Sequence, residues 1–512
     1  MKLPLTPLDF LERARRLYGP LEAAVDGDRR VTYTELAGRA HRLAHLVRSS
    51  GVRPGDRVAY LCGNTLELLE AYYGVVLAGA VLTPLNIRLA PSELDAILAD
   101  CQASLLVIHP SFASSASQLS GAERRLCLDA SYEAALAAMP ASSFDPGPID
   151  EDDVCELFYT SGSTGEPRGA MLTHRNLATH AIDSAVTLGL GHRDVVLHTI
   201  PLFHVNGWGT PHYVTMLGAR HVLLERFDAG EALRLIEAEG VTRCSLVPTM
   251  ANALLDHPDL GQRDLSSMKQ VTVGGSPPGS ALLAALEVAL GGDCEVMCGY
   301  GLTEASPQAT KAVTLRTHDH LSEDEQRRRR ATTGLPNVGV DARVLGRDDV
   351  EVPWDGTTRG EICIRSNHVM VGYWGRPDET AAALAGGWLR TGDIATVDAE
   401  GYMMIVDRKK DIIISGGENI STVEVEQSLC AHPAVLEAAV VGMPDPRWGE
   451  VPRAFVVLRS DVGEVTADEL IEWVRQQLAH FKAPQRLEFV AELPKGGTGK
   501  VQKPALRRRP LN

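Results

Sequence analysis

The sequence predicts an α/β protein in two parts: a large N-terminal region of stacked α/β subdomains over residues 1–406 and a small α+β domain over residues 407–512. Three observations point there. Short β-rich runs alternate with longer helical patterns along most of the chain, which suits strands layered with helices rather than a bundle or a sandwich. The charged stretch Asp407-Arg408-Lys409-Lys410-Asp411 interrupts this alternation and makes the best boundary. Beyond it, about 100 residues hold strands and helices of their own, enough for a small domain.

The elements follow in order. Residues 31–51 open with Thr32 and Glu35 at capping-box spacing, place Leu36, Ala40, Leu43 and Val47 on one helical face, and stop at Gly51. Residues 154–158 are an apolar run of strand length. Residues 271–275 read as a strand, 276–279 as a turn and 280–290 as an apolar helix. Further strands are expected at 361–365, 402–406, 438–441 and 454–458. Ser421 with Glu424 starts a helix through Val425 and Leu429, and Thr466 with Glu469 starts another through Leu470, Val474 and Leu478.

Composition narrows the function. With 512 residues, 44% apolar and 23% charged, the chain has the make-up of a soluble globular protein. A formal charge of -16 argues against nucleic acid as a partner, because that binding rests on a basic surface. Residues 1–20 have scattered charges and no apolar core, so no secretory signal is expected. The longest uncharged apolar run, 71–87, is broken by Gly74, Gly79 and Pro84 and falls short of a transmembrane segment. The nine cysteines are scattered, and only Cys294 and Cys298 sit close, which supports neither zinc nor a disulfide framework. Reduced, mostly buried thiols in a cytoplasmic protein are the expectation. The basic runs 327–330 and 507–509 read as solvated faces or tails.

The chemistry concentrates in residues 159–169, YTSGSTGEPRG. Ser161, Ser163 and Thr164 can each donate a hydrogen bond, Gly162 and Gly165 let backbone N–H groups close on an oxyanion, and Arg168 adds a permanent charge. The segment does not fit GxxxxGK[ST], because no Gly-Lys pair follows at the required spacing. By itself the loop reads equally as a phosphate cradle or as a polar surface turn.

Five further segments carry the argument on: PLFHVNGWG at 201–209, GGSPP at 274–278, GYGLTEASP at 299–307, TGD at 391–393 ahead of GYMMIVDRKKDIIISGGENIS, and PKGGTGKVQK near the C-terminus. In this order, spread over about 350 residues, they resemble the adenylate-forming superfamily of acyl-CoA synthetases, luciferases and peptide-synthetase adenylation domains. Within it the chain looks most like fatty acyl-CoA ligases.

The resemblance implies two half-reactions. A carboxylate attacks the α-phosphate of ATP to give acyl-AMP and pyrophosphate, and the thiol of coenzyme A then displaces AMP. Thr160, Ser161, Gly162, Ser163, Thr164, Gly165 and Arg168 would surround the outer phosphates, with Arg168 standing where the family usually has Lys. Glu304 matches the Mg2+-binding acid, with Thr164 as a second ligand and Thr303 beside it. Tyr300, between Gly299 and Gly301, matches the ring that stacks on adenine, and Gly274, Gly275 and Ser276 frame that base. Asp393 and Arg408 match ribose contacts, and Asp407 the hinge of a swivelling C-terminal domain. Lys500 matches the lysine that bridges carboxylate and α-phosphate during adenylation. His204 is implied as a catalytic group bordering the acyl pocket, whose walls would be His204, Asn206, Gly207, Trp208, Val247, Pro248 and Thr249. Ser415, Gly416, Gly417 and Glu418 would line the CoA channel.

Because HVNGWG offers no Asp to pair with a substrate ammonium, an amino acid is disfavoured, and a fatty or other apolar acid is expected. Three alternatives stay open: transfer to an amine, transfer to a separate carrier protein, and a silent acyl or nucleotide binder. A homodimer is one assembly compatible with the resemblance.

Overall fold

The computed structural model describes residues 2–161, 167–291, 294–415, 418–459, 465–496 and 501–510. Local signals in the sequence set several of its elements. Thr32 caps helix Tyr33–Ser49, its hydroxyl accepting from the Glu35 N–H while the Glu35 carboxylate accepts from the Thr32 N–H at 2.7 Å. Gly51 follows at φ +83°, a conformation that a β-carbon would strain. The helix crosses the wholly buried helix Leu66–Leu77 at Gly74, where an added β-carbon would lie 2.7 Å from Leu43 Cβ. The apolar run over 71–87 is therefore the end of a core helix followed by strand Val81–Pro84. Among the described residues no helix is long and apolar enough to cross a membrane.

Packing divides the chain into two compact units, Met1–Ala342 with Ile364–Arg390, and Arg343–Cys363 with Thr391–Asn512. The first contains two large sheets. One runs in the order Leu335–Pro336, Gln308–Lys311, Glu295–Gly301, Gln270–Val273, Arg243–Leu246, Val195–His198, Arg220–Leu223, Glu22–Asp26, Arg29–Thr32. Its strands from Glu295–Gly301 to Glu22–Asp26 are parallel, and antiparallel strands close both edges. Parallel neighbours need crossover connections, which is why helical and strand patterns alternate in the sequence. Helix Ser280–Leu290 is the crossover between two of these strands and occupies the predicted residues.

The second sheet runs Gly372–Tyr373, Pro167–Thr173, Val154–Ser161, Val81–Pro84, Arg57–Leu61, Ala103–Ile108, Arg125–Cys127. Strand Val154–Ser161 outruns the predicted 154–158 because it is one arm of a hairpin, pairing Tyr159 with Gly169, Thr160 with Arg168 and Ser161 with Pro167. The connecting residues 162–166 lie outside the described ones.

In the second unit, helices Thr422–Cys430 and Ala467–Gln477 bury Val425, Leu429, Leu470 and Val474 against Val440 and Val456 of a five-stranded sheet. Thr466 forms the full capping box. Ser421 accepts from the Glu424 N–H at 3.1 Å, but the Glu424 carboxylate binds Lys482 at 2.7 and 2.8 Å, so the reciprocal half of that box is missing. The strands expected at 438–441 and 454–458 are the centre of Val435–Asp445 and the C-terminal half of Gly449–Leu458, which pair antiparallel down to Asp445 opposite Gly449.

Arg327 and Arg330 depart from the solvated face expected of the run 327–330. Arg327 and Arg330 lie one turn apart on helix Glu323–Arg330, and both close on Glu287 of helix Ser280–Leu290, at 2.9 and 2.7 Å. They pin two helices together rather than face solvent. All nine cysteines are free, and only Cys127 and Cys430 are not buried.

Candidate active site

The expected acyl wall begins with an unusual turn. Val205, Asn206, Gly207 and Trp208 take φ values of +35°, +43°, +53° and +65° in succession. A left-handed conformation costs a non-glycine residue about 1–3 kcal/mol, and such strain persists only where the surroundings fix it. Here they do. The Asn206 amide donates to Glu156 Oε2 at 3.1 Å, and His212 Nε2 meets the other oxygen of the same buried carboxylate at 2.8 Å. With its side chain held this way, Asn206 anchors the turn, and the turn presents Trp208.

The Trp208 indole lies against the glycine frame. A β-carbon on Gly274 would stand 2.9 Å from Trp208 Cη2 and 2.9 Å from the Gly299 carbonyl oxygen. On Gly275, at φ +84°, it would stand 3.0 Å from Val247 Cγ1. Trp208, Gly274, Gly275, Val247 and Gly299 are thus one surface, with Tyr300 next to Gly299 on strand Glu295–Gly301. Ser276 is exposed beyond it, and Pro248 and Thr249 open helix Pro248–Leu255.

Gly301 has a different reason to be glycine, since a β-carbon there would lie 2.1 Å from the Pro307 carbonyl oxygen. Gly301→Ala is expected to cost about 1–3 kcal/mol by overpacking. A lower urea midpoint checks this, and an unchanged midpoint would refute it.

A second cluster joins the hairpin to the acid expected to hold Mg2+. Tyr373 donates to Glu304 Oε1 at 2.6 Å, and the Arg168 guanidinium sits 4.7 Å from the centre of the Tyr373 ring while reaching Glu379 at 3.0 Å. Burial, with the Glu304 carboxylate beside it, pushes the Tyr373 hydroxyl well above its usual range, so it stays a donor at any ordinary pH. Tyr373 is absent from the sequence reading. Its place is fixed by an edge pairing, Gly372 with Met171 and Tyr373 with Ala170, that no local pattern announces. A Gly-Tyr-Trp run just ahead of the Pro377 helix start was the available signal.

Glu304 is half-buried, and among the described residues its second oxygen has no hydrogen-bond partner. Among the described residues no three His, Cys, Asp or Glu gather into a metal-binding group. One carboxylate with one open oxygen fits Mg2+, which takes few protein ligands and fills its shell with water and phosphate. Thr164, the other expected ligand, lies outside the described residues, as do Gly162, Ser163 and Gly165. Thr160 and Arg168 face each other across the hairpin.

In the second unit Asp393 and Arg408 stand opposite one another on antiparallel strands, with Arg408 Nε 3.1 Å from Asp393 Oδ1. Fifteen residues apart in sequence, they are cross-strand neighbours because a hairpin joins them. Asp407 is buried, its carboxylate accepting from the Thr422 N–H at 2.5 Å, the Thr422 hydroxyl at 2.9 Å and the Arg408 N–H at 2.7 Å. Burial raises its pKa, with the nearby Lys503 opposing the shift. Ser415 pairs with Glu418 across residues 416–417. Gly416, Gly417 and Lys500 lie outside the described residues.

Comparison with known proteins decides what these clusters belong to. The family model for AMP-binding enzymes matches residues 11–374, and that for the AMP-binding enzyme C-terminal domain matches 424–500. The chain belongs to the AMP-binding enzyme family.

Members of this family similar to it cover nearly its whole length. It is 41% identical over 505 residues, 97% of both chains, to a feruloyl-CoA synthase of an Amycolatopsis species. To a long-chain-fatty-acid–CoA ligase of Thermus thermophilus it is 38% identical over 519 residues, 98% of this chain and 94% of the other. A solved anthranilate CoA ligase in complex with anthranoyl-AMP matches with a TM-score of 0.89 at 28% identity, covering 99% of this chain and 97% of that one. These relatives are CoA ligases and synthetases, the activity that the resemblance implied. Similar proteins are named for aromatic, long-chain fatty and short-chain acids, so membership leaves the acid open.

Proposed function

We propose that the protein joins an aromatic carboxylic acid to coenzyme A through an acyl-adenylate. The carboxylate oxygen bonds to the α-phosphorus of ATP as the bond to pyrophosphate breaks. The CoA sulfur then bonds to the acyl carbon, AMP departs, and the thiol proton passes to solvent. The observation that carries the choice of acid is the Trp208 indole laid against Gly274, a flat apolar wall beside the Gly299 backbone that suits a planar ring. The similarity to a feruloyl-CoA synthase supports it.

In this reading Glu304 would hold Mg2+, which would supply charge neutralisation for the phosphates, and Tyr373 holds that carboxylate in place. Asp393 and Arg408 take the ribose hydroxyls, Tyr300 stacks on adenine, and Arg168 faces the outer phosphates. His204 and the 247–249 turn border the acid. The C-terminal part swivels near Asp407, bringing Lys500 to the site for adenylation and the Ser415–Glu418 segment for thioester formation.

The test is acid-dependent pyrophosphate release with ferulate, benzoate and palmitate, with and without CoA or a simple amine, and mass spectrometry of the products. A feruloyl or benzoyl thioester is the expected product. Turnover of palmitate alone would overturn the aromatic reading, and an amide in place of a thioester would overturn the acceptor.

A further inference from the structure

The acyl wall continues into Lys311, which among the described residues makes no salt bridge. Lys311 is only 1% exposed and ends strand Gln308–Lys311, opposite Gly299. Its side chain passes over that glycine: a β-carbon on Gly299 would lie 3.5 Å from Lys311 Cδ and 3.7 Å from Nζ. Nζ then donates to the Thr272 hydroxyl on the next strand, and among the described residues this is its single hydrogen-bond partner. Thr272 and Gly274 are two residues apart along one strand direction, so both face the side on which Trp208 lies against Gly274. Thr272 also lines a small internal cavity with Tyr213, Arg243, Ser245 and Gln270.

An amine with three donors and one hydroxyl acceptor is an expensive group to bury, because neither its charge nor its remaining hydrogens are matched. A strand lysine kept only for packing would be better served by methionine, which has similar length and no charge. Resting on the function proposed above, we propose that Lys311 anchors the far end of the acyl pocket and selects acids that carry a phenolic hydroxyl remote from the reacting carboxylate. Burial pulls the amine down to about 7, with the nearby Arg243 charge adding to the effect and Cys298 and Glu295 opposing it. A phenol oxygen there can accept from the ammonium or donate to the free amine.

The experiment compares kcat/KM for 4-hydroxycinnamate and cinnamate, which differ by that hydroxyl alone, in the wild-type enzyme and in Lys311→Met. A hydrogen bond to a charged partner is expected to favour the hydroxylated acid by about 10- to 100-fold in the wild type. Lys311→Met should bring the ratio near one, with the change carried mainly by KM. Equal use of both acids by the wild type, or an unchanged ratio in the variant, overturns the inference. If Lys311→Met does not fold, the wild-type ratio together with Thr272→Val, which removes the acceptor that aims Nζ, decides it in the same way. Release of no pyrophosphate with either acid, or with any acid of the broader panel, would instead remove the ligase reading on which the inference rests.

Discussion

Replacing Lys500 with alanine is expected to lower acid-dependent pyrophosphate exchange by about two to three orders of magnitude, the scale of losing a principal transition-state charge contact. The first half-reaction presses a carboxylate against a triphosphate, and negative charge gathers on the oxygens around the α-phosphorus as the new bond forms. A cation that meets those oxygens only in the transition state raises the rate without tightening the ground state. Lys500 closes the span matched by the C-terminal family model. The second half-reaction makes no such demand, since its electrophile is already activated. Chemically prepared acyl-adenylate supplied with CoA should therefore give thioester in the Lys500→Ala protein with a far smaller loss. Equal losses in both assays would mean that the residue supports the fold or nucleotide binding generally, and undiminished exchange would remove it from the mechanism.

What the sequence made legible was set by range. Capping boxes at Thr32 and Thr466, the glycine stop at Gly51 and helix Ser280–Leu290 involve residues within a turn or two of each other, so local chemistry decides them. Where a distant partner competes, the local signal fails. Glu424 has the spacing to complete a capping box, yet Lys482 takes its carboxylate from 58 residues away. The strands expected at 154–158, 438–441 and 454–458 are located but cut short, because the ladder continues wherever the neighbouring strand supplies partners, while the one expected at 271–275 ends at Val273.

The site divides along the same line. The glycines of GYG and GGS stand out in the sequence, but their reasons differ: Gly274 yields room to Trp208, while Gly301 avoids the Pro307 carbonyl. Lys311 looks like any charged residue at a strand end until the register places it opposite a glycine with nothing to block its path. Asn206 is expected from the sequence as a wall of the acyl pocket, whereas the fold commits its amide to Glu156.

Glu304→Gln is expected to lower pyrophosphate exchange by about two orders of magnitude, and Tyr373→Phe by roughly tenfold, with the second loss recovered at high Mg2+. The two substitutions separate charge from position. Glutamine keeps the shape of residue 304 and can still accept from Tyr373, but it removes the negative charge that Mg2+ requires. Phenylalanine leaves the charge intact and removes the 2.6 Å hydrogen bond that holds one carboxylate oxygen. A released carboxylate samples other rotamers, so the metal–nucleotide complex binds more weakly while the bound state reacts almost as before. The Tyr373 defect should accordingly appear as a higher Mg2+ concentration at half-maximal rate. The ring itself must stay, because Arg168 rests on it 4.7 Å from its centre. Tyr373→Ala should therefore add a loss in ATP affinity that Mg2+ does not restore. A Tyr373→Phe protein with wild-type Mg2+ dependence and a lower maximal rate would show that the hydroxyl serves a step other than holding the carboxylate for the metal.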